Sequence, residues 1–171
     1  MTTDSMAATE VDSEEAAGTQ YLTFLLADEQ YGLNILQVQE IRGWEQVTRI
    51  PNAPHYVQGV INLRGTIVPV LDLRLRFHMT AAEYTKETVV IVVRSTDADG
   101  GERSVGMVVD AVSDVYSIPE EDLKPVPRSG NAAVMESVRS LATVNEKLVI
   151  LLDIDHLLNS EDLAVLDGVT V

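Results

Sequence analysis

The stretch VQGVINLRGTIVPVLDLRLRF, Val57 to Phe77, reads as a strand, a two-residue turn, a second strand and a short amphipathic helix. Val60, Ile61 and Leu63 give the first strand its β-branched and aliphatic character, and Ile67, Val68, Val70 and Leu71 give it to the second. Gly65 supplies the positive φ that a tight hairpin needs, with Arg64 beside it at the tip. Pro69 falls where a paired central strand would lose a hydrogen bond. The stretch predicts a small β-barrel that presents a cation at a hairpin tip, and nothing in it suggests a catalytic centre.

The rest of the chain is consistent with sheet. Of 171 residues 46 % are hydrophobic, yet only two Phe and one Trp supply large rings, so Val, Ile and Leu carry the packing. There is no cysteine, which removes disulfides, thiolate nucleophiles and thiolate metal sites and suits a cytoplasmic location. The first eighteen residues hold neither Lys nor Arg nor an apolar run, so no signal peptide is expected. No apolar stretch approaches the length of a membrane span.

The net charge is −15 and unevenly spread. Residues 1–18 carry five acids and no base, residues 20–79 five acids and five arginines, and residues 80–171 seventeen acids against seven bases. Such a chain has no electrostatic footprint for nucleic acid or anionic lipid. In the neutral region every base is arginine, which suits fixed, bidentate pairing.

Residues 1–18 are expected to be a disordered acidic tail, and residues 161–171 a C-terminal tail. Between them the sequence repeats itself. Tyr31-Gly32-Leu33-Asn34-Ile35 aligns with Val105-Gly106-Met107-Val108-Val109, and Val38-Gln39-Glu40-Ile41 with Val112-Ser113-Asp114-Val115 at the same offset. Val68–Leu73 likewise echoes Val149–Ile154, each copy running through an Asp into a short helix that the carboxylate can cap. Strands are expected over Thr19–Leu26, Tyr31–Leu36, Thr88–Arg94 and Arg103–Val115, with an acidic-glycine hairpin loop at residues 97–101 and a weak helix or irregular cover over 132–142. Two similar β units in tandem, each of about five short strands, would bury an apolar seam between them.

Catalytic constellations are missing. Asp72 and Asp153 read as helix caps, and His55, His78 and His156 are scattered. No phosphate loop, dinucleotide fingerprint or nucleophile elbow occurs. What stands out is Glu40, between Val38 and Ile41, and Arg64 after Leu63: two charges in apolar strands that could form an ion pair and meet a partner.

Taken together, YLTFLLADEQYGLNILQVQEI, TRIPNAPHYVQGVINLRGTIVPVLDLR, TVVIVV, VGMVVDAVSDV and LVILLDIDHLLN resemble the CheW-like family of bacterial chemotaxis coupling proteins over residues 20–160. The resemblance implies an all-β fold: two tandem five-stranded SH3-like β-barrels packed with pseudo-symmetry, plus short helices. The first barrel is expected near 30–85 and the second at 20–28 plus 86–152. It also implies a non-enzymatic, cofactor-free cytoplasmic adaptor, recruited to chemoreceptor arrays. Its implied partners are the regulatory domain of the histidine kinase CheA and the cytoplasmic tips of methyl-accepting chemotaxis receptors, with weak self-association. The positions that match the family's partner-binding residues are Val38, Glu40, Ile41, Gly59 and Arg64, with Val89, Gly106 and Val112 expected to line a groove between the barrels. The alternative from a different class is a small β-barrel ligand-binding or Asp-dependent enzyme domain using the acid-rich second half.

Overall fold

A computed structural model describes residues 18–96, 100–127 and 136–158. The two tails, the tip of the acidic loop and residues 132–135 of the expected helix or irregular cover therefore lie outside the described residues, apart from Gly18. The strands are β1 (Thr19–Leu26), β2 (Glu29–Asn34), β3 (Val38–Gly43), β4 (Val57–Leu63), β5 (Thr66–Asp72), β6 (Val89–Thr96), β7 (Glu102–Val109), β8 (Ala111–Ile118), β9 (Val138–Val144) and β10 (Lys147–Leu152). Helix α1 (Leu73–Arg76) follows β5, and α2 (Ile154–Leu158) follows β10.

They form two five-stranded sheets, ordered β3-β6-β7-β5-β4 and β8-β1-β2-β10-β9. The two orders superpose strand for strand. Each sheet has one parallel contact, β5 with β7 and β10 with β2, and all its other neighbours are antiparallel. The fold is the expected pair of pseudo-symmetric SH3-like barrels.

The barrels are not divided where the sequence suggested. Strand pairing assigns β3–β7 to one sheet and β1, β2 and β8–β10 to the other, so the boundaries at 30–85 and at 20–28 plus 86–152 need correction. Each sequence repeat gives its leading hairpin to one barrel and its three following strands to the other. Ala27 and Asp28, at φ 52° and 68°, make a two-residue turn that pairs β2 with β1, so these two strands enter the same sheet together. The segment expected as one strand over 103–115 is two, broken at Asp110, whose N–H donates to Leu25 O at 3.1 Å.

Residues 138–142, expected as helix or irregular cover, belong to strand β9. Burial there alternates, with Ser140 and Ala142 inward, and pairing with β10 overrides the weak helical pattern.

Alternation explains the continuous apolar runs. In β6, Ile91 and Val93 join the large central cluster, whereas Val90 and Val92 fill the β3–β7 barrel. The central cluster takes Leu22, Phe24 and Leu26 from one sheet and Val105, Met107 and Val109 from the other. The apolar seam between the two sheets is thus the largest core among the described residues, and strands buried on both faces lose the polar–apolar alternation.

Pro69 is accommodated although β5 is an inner strand. It pairs with Val60 of β4, and the parallel register with β7 begins one residue later, at Val70 opposite Gly106. Both predicted caps form: Asp72 Oδ1 accepts from Arg74 N–H at 2.9 Å, and Asp153 Oδ1 accepts from His156 N–H at 3.1 Å.

Candidate partner-binding surface

Glu40 owes its position to a β-bulge. The register of β3 on β6 runs Val38 opposite Val93 and then Glu40 opposite Val92, so Gln39 is an extra residue. Without the bulge, a regular strand would put Val38 and Glu40 on one face. With it, Val38 and Ile41 lie opposite Val93 and Ile91 on the seam side, while Glu40 and Arg42 lie opposite Val92 and Val90 on the barrel side.

Arg64 comes from the predicted turn. Arg64 and Gly65 have φ 52° and 88°, and Asn62 Oδ1 accepts from Gly65 N–H at 2.8 Å. Arg64 Nη2 donates to Glu40 Oε1 at 2.7 Å, while Arg42 Nε stands 3.6 Å from the other carboxylate oxygen. Arg42 also approaches Glu45, at 3.5 Å. The ion pair read from the sequence therefore exists, within a cluster of two arginines and two acids. Sequence reasoning passed over Arg42, although two-residue strand periodicity places it beside Glu40. The exposure is lopsided: 69 % for the Arg64 side chain, against 25 % for Glu40 and 28 % for Arg42.

The pair ties the β4–β5 turn to β3, and β3 and β4 are the two outer strands of one sheet. The other barrel has the same tie in neutral form. Asn145, the pseudo-equivalent of Arg64, donates from Nδ2 to the hydroxyl of Tyr116 on β8 at 3.4 Å. Closing the barrel therefore needs only a polar contact here, and the charge is particular to the β3–β7 barrel.

The apolar candidates form a second group. Val38, Val89 and Val112 are half-buried and pack against the seam cluster, and Ile41 is 43 % exposed. Gly106, expected to line the groove, and Gly59 both sit where an added Cβ would clash. Gly106 is buried, and a Cβ there would stand 2.8 Å from Val90 Cγ1 and 3.3 Å from Val70 Cγ2, inside the β3–β7 barrel. Its repeat partner Gly32 meets Leu151 and Val149 in the same way, so both glycines let strands pack closely. Gly59 has φ 152°, and a Cβ there would fall 2.2 Å from Thr48 O. Thr48 and Val60 exchange two backbone hydrogen bonds of 2.8 and 3.0 Å, bringing the loop after β3 against β4.

The acids that the enzyme alternative would need serve structure. Asp110 accepts a bidentate pair from Arg74 (Nε–Oδ1 2.9 Å, Nη2–Oδ2 2.7 Å) and the Ala27 N–H at 2.9 Å, joining α1 of one barrel to a turn of the other. Burial raises the Asp110 carboxyl, but the hydrogen bonds from Arg74 and Ala27 outweigh it and hold the carboxyl below its ordinary range. Asp72 also accepts from the Tyr84 hydroxyl at 2.5 Å. Asp155 accepts from Gln37, Ser95 and the Thr96 N–H, fastening α2 to the end of β6. Among the described residues no group of three His, Cys, Asp or Glu could hold a metal, and no helix is long and apolar enough to cross a membrane.

Asp72, Asp110, Asp153 and Asp155 are thus tied into the fold, and an ion cluster beside exposed and half-buried apolar residues gives this double barrel a surface of the kind protein-binding scaffolds use. The family model for the CheW-like domain matches residues 20–162. The chemotaxis protein CheW of Klebsiella aerogenes is 46 % identical over 155 residues, 91 % of this chain and 90 % of that protein. That of Rhizobium meliloti is 37 % identical over 145 residues, 85 % of this chain and 90 % of its own. The crystal structure of the scaffolding protein TtCheW from Thermoanaerobacter tengcongensis superposes with a TM-score of 0.73 at 31 % identity, covering 85 % of this chain and 95 % of that one. The chain belongs to the CheW-like domain family. It is a chemotaxis scaffold, not an enzyme.

Proposed function

We propose that this scaffold couples methyl-accepting chemoreceptors to the histidine kinase CheA and supports receptor control of CheA autophosphorylation at membrane-associated arrays. Glu40, Arg42 and Arg64 form its charged contact, and Val38, Ile41, Val89 and Val112 its apolar one. The observation that carries this assignment is the exposed Arg64 guanidinium, oriented by Glu40. The second barrel closes with a neutral Asn145–Tyr116 contact, so an ionic cluster serves recognition and orientation better than it serves closure. Gly59 and Gly106 support the surface from beneath.

The receptor tip, a helical hairpin, docks along the seam in the helix-in-groove mode. The regulatory domain of the kinase meets an outer strand of one barrel, covering backbone groups that the sheet leaves unpaired. The test is reconstitution of purified CheA with a receptor signalling fragment, with and without this protein. A large rise in autophosphorylation, reversed by attractant when intact receptors are used, is the expected result. No change with cognate partners would overturn the coupling role.

A further inference from the structure

A second polar cluster lies outside the surface just described. Asn52, Ala53, Pro54, His55, Tyr56, Arg76 and His78 line an open cavity of about 330 Å³ at the surface. Its wall combines a guanidinium, two imidazoles, a carboxamide and a phenol and, among the described residues, no carboxylate. In a chain of net charge −15 this is an unusual concentration of basic groups.

Three features set the cluster apart. Arg42, Arg64 and Arg74 each face an acid within 4 Å, whereas Arg76 has no such partner among the described residues, and its Nε is buried there without a hydrogen bond. The Arg76 guanidinium carbon instead sits 5.4 Å from the centroid of the Tyr56 ring, which holds the cation in place without neutralising it. The imidazoles of His55 and His78 stack with centroids 6.3 Å apart and planes inclined by 23°. Finally, His78 follows the last turn of α1 at φ 61°, its N–H donating to Leu75 O at 3.0 Å. Glycine or asparagine is the usual residue in such a left-handed cap, yet here the backbone places an imidazole against the cavity.

We propose that this cavity binds an oxyanion, a phosphate or a carboxylate, held by Arg76 and by the His55 and His78 imidazoles. A delocalised guanidinium matches the paired oxygens of either group, and imidazole N–H groups supply further donors. Without a lining carboxylate, an entering anion meets no like charge within the wall.

The chain has three histidines, and the third, His156, lies on α2 away from the cavity lining, so it serves as an internal reference. Imidazole resonances of the full chain are followed by NMR during titration with inorganic phosphate, and separately with succinate, at constant ionic strength and pH. The expected result is saturable shifts of His55 and His78, with His156 still, and at least tenfold weaker binding in Arg76→Gln. His55→Ala, at an exposed position, is a second variant that leaves the α1 packing in place and is also expected to weaken binding. Response to phosphate alone would assign a phosphoryl ligand; response to both would assign any oxyanion, acidic side chains included. Non-saturating shifts, equal movement of all three histidines, or unchanged affinity in both variants would overturn the proposal.

Discussion

Arg64 Nη2 lies 2.7 Å from Glu40 Oε1 and joins the turn after one outer strand to the opposite outer strand of the same sheet, while Arg42 holds the other carboxylate oxygen at 3.6 Å. The three charges form one unit with an asymmetric response to substitution. Arg64→Glu removes a side chain that is 69 % exposed, so the fold loses at most about 1 kcal/mol, whereas coupling is lost. Urea unfolding and kinase reconstitution on the same preparation separate the two effects. A variant that kept full receptor-controlled activity would remove Arg64 from the contact.

Glu40→Arg places a third cation beside Arg42 and Arg64 and is expected to destabilise more than Arg64→Glu does. The charge-swapped pair, Glu40→Arg with Arg64→Glu, restores one ion pair but leaves Arg42 against the new arginine. It is therefore expected to regain only part of the lost stability, and a double-mutant cycle measures how much. Adding Arg42→Gln to the swapped pair should recover more.

The glycines separate packing from contact. Gly106→Ala forces a methyl to within 2.8 Å of Val90 Cγ1, an overpacking expected to cost about 1–3 kcal/mol. Gly59→Ala is expected to be worse, because the obstacle is the Thr48 carbonyl, a backbone group that cannot rotate aside. If these positions act through packing, coupling in the variants declines in step with the denaturation midpoint. Loss of coupling at unchanged stability would make the glycines direct contacts.

Asp110 links the barrels through Arg74 and the Ala27 N–H. Its folded-state carboxyl lies below the ordinary 3.8. The unfolded chain therefore takes up this proton first as pH falls. The stabilisation is complete above the unfolded value and disappears as pH drops through the folded one. Asp110→Asn is expected to destabilise by about 1.5–3 kcal/mol at pH 7, the range for hydrogen bonds to a charged group. Urea midpoints of wild type and variant should converge as pH falls below the ordinary carboxylate range and through the folded value.

Tyr84 protects a buried acid. Asp72 is 3 % exposed and accepts from the Tyr84 hydroxyl, while Trp44 packs on the Tyr84 ring at a centroid distance of 4.4 Å. Burial, with help from that hydrogen bond, pushes the Tyr84 phenol well above 10.0. Its stabilisation is therefore intact below pH 10 and declines as pH rises towards the folded value. Tyr84→Phe is expected to lose about 1.5–3 kcal/mol, and ultraviolet titration should lose phenolate absorbance from the most alkaline part of the curve.

Much of the fold and part of the surface were legible in the sequence because their causes are local. Arg64-Gly65 gave the turn, Asp72 and Asp153 the caps, and the doubled glycine pattern of Gly32 and Gly106 the repeat. The Glu40–Arg64 pair could be anticipated because each is a lone charge in an apolar strand. Arg42 was missed for want of applying strand periodicity one step further. The barrel-side direction of Glu40 was not accessible, since it depends on the bulge at Gln39, which exists only against β6.

The sequence by itself determined that this chain is made of two copies of one β pattern, each with its hairpin, its strand into an Asp and its short helix. Only the tertiary structure decided that the copies exchange hairpins, with β1–β2 completing the barrel of β8–β10 and β6–β7 completing that of β3–β5. Backbone pairing is nearly blind to side chains, so either repeat's hairpin satisfies the pattern of either sheet. The choice falls to the global burial of Phe24, Leu33, Ile91 and Met107 in one shared seam, an energy that belongs to the assembled molecule and to no segment of it.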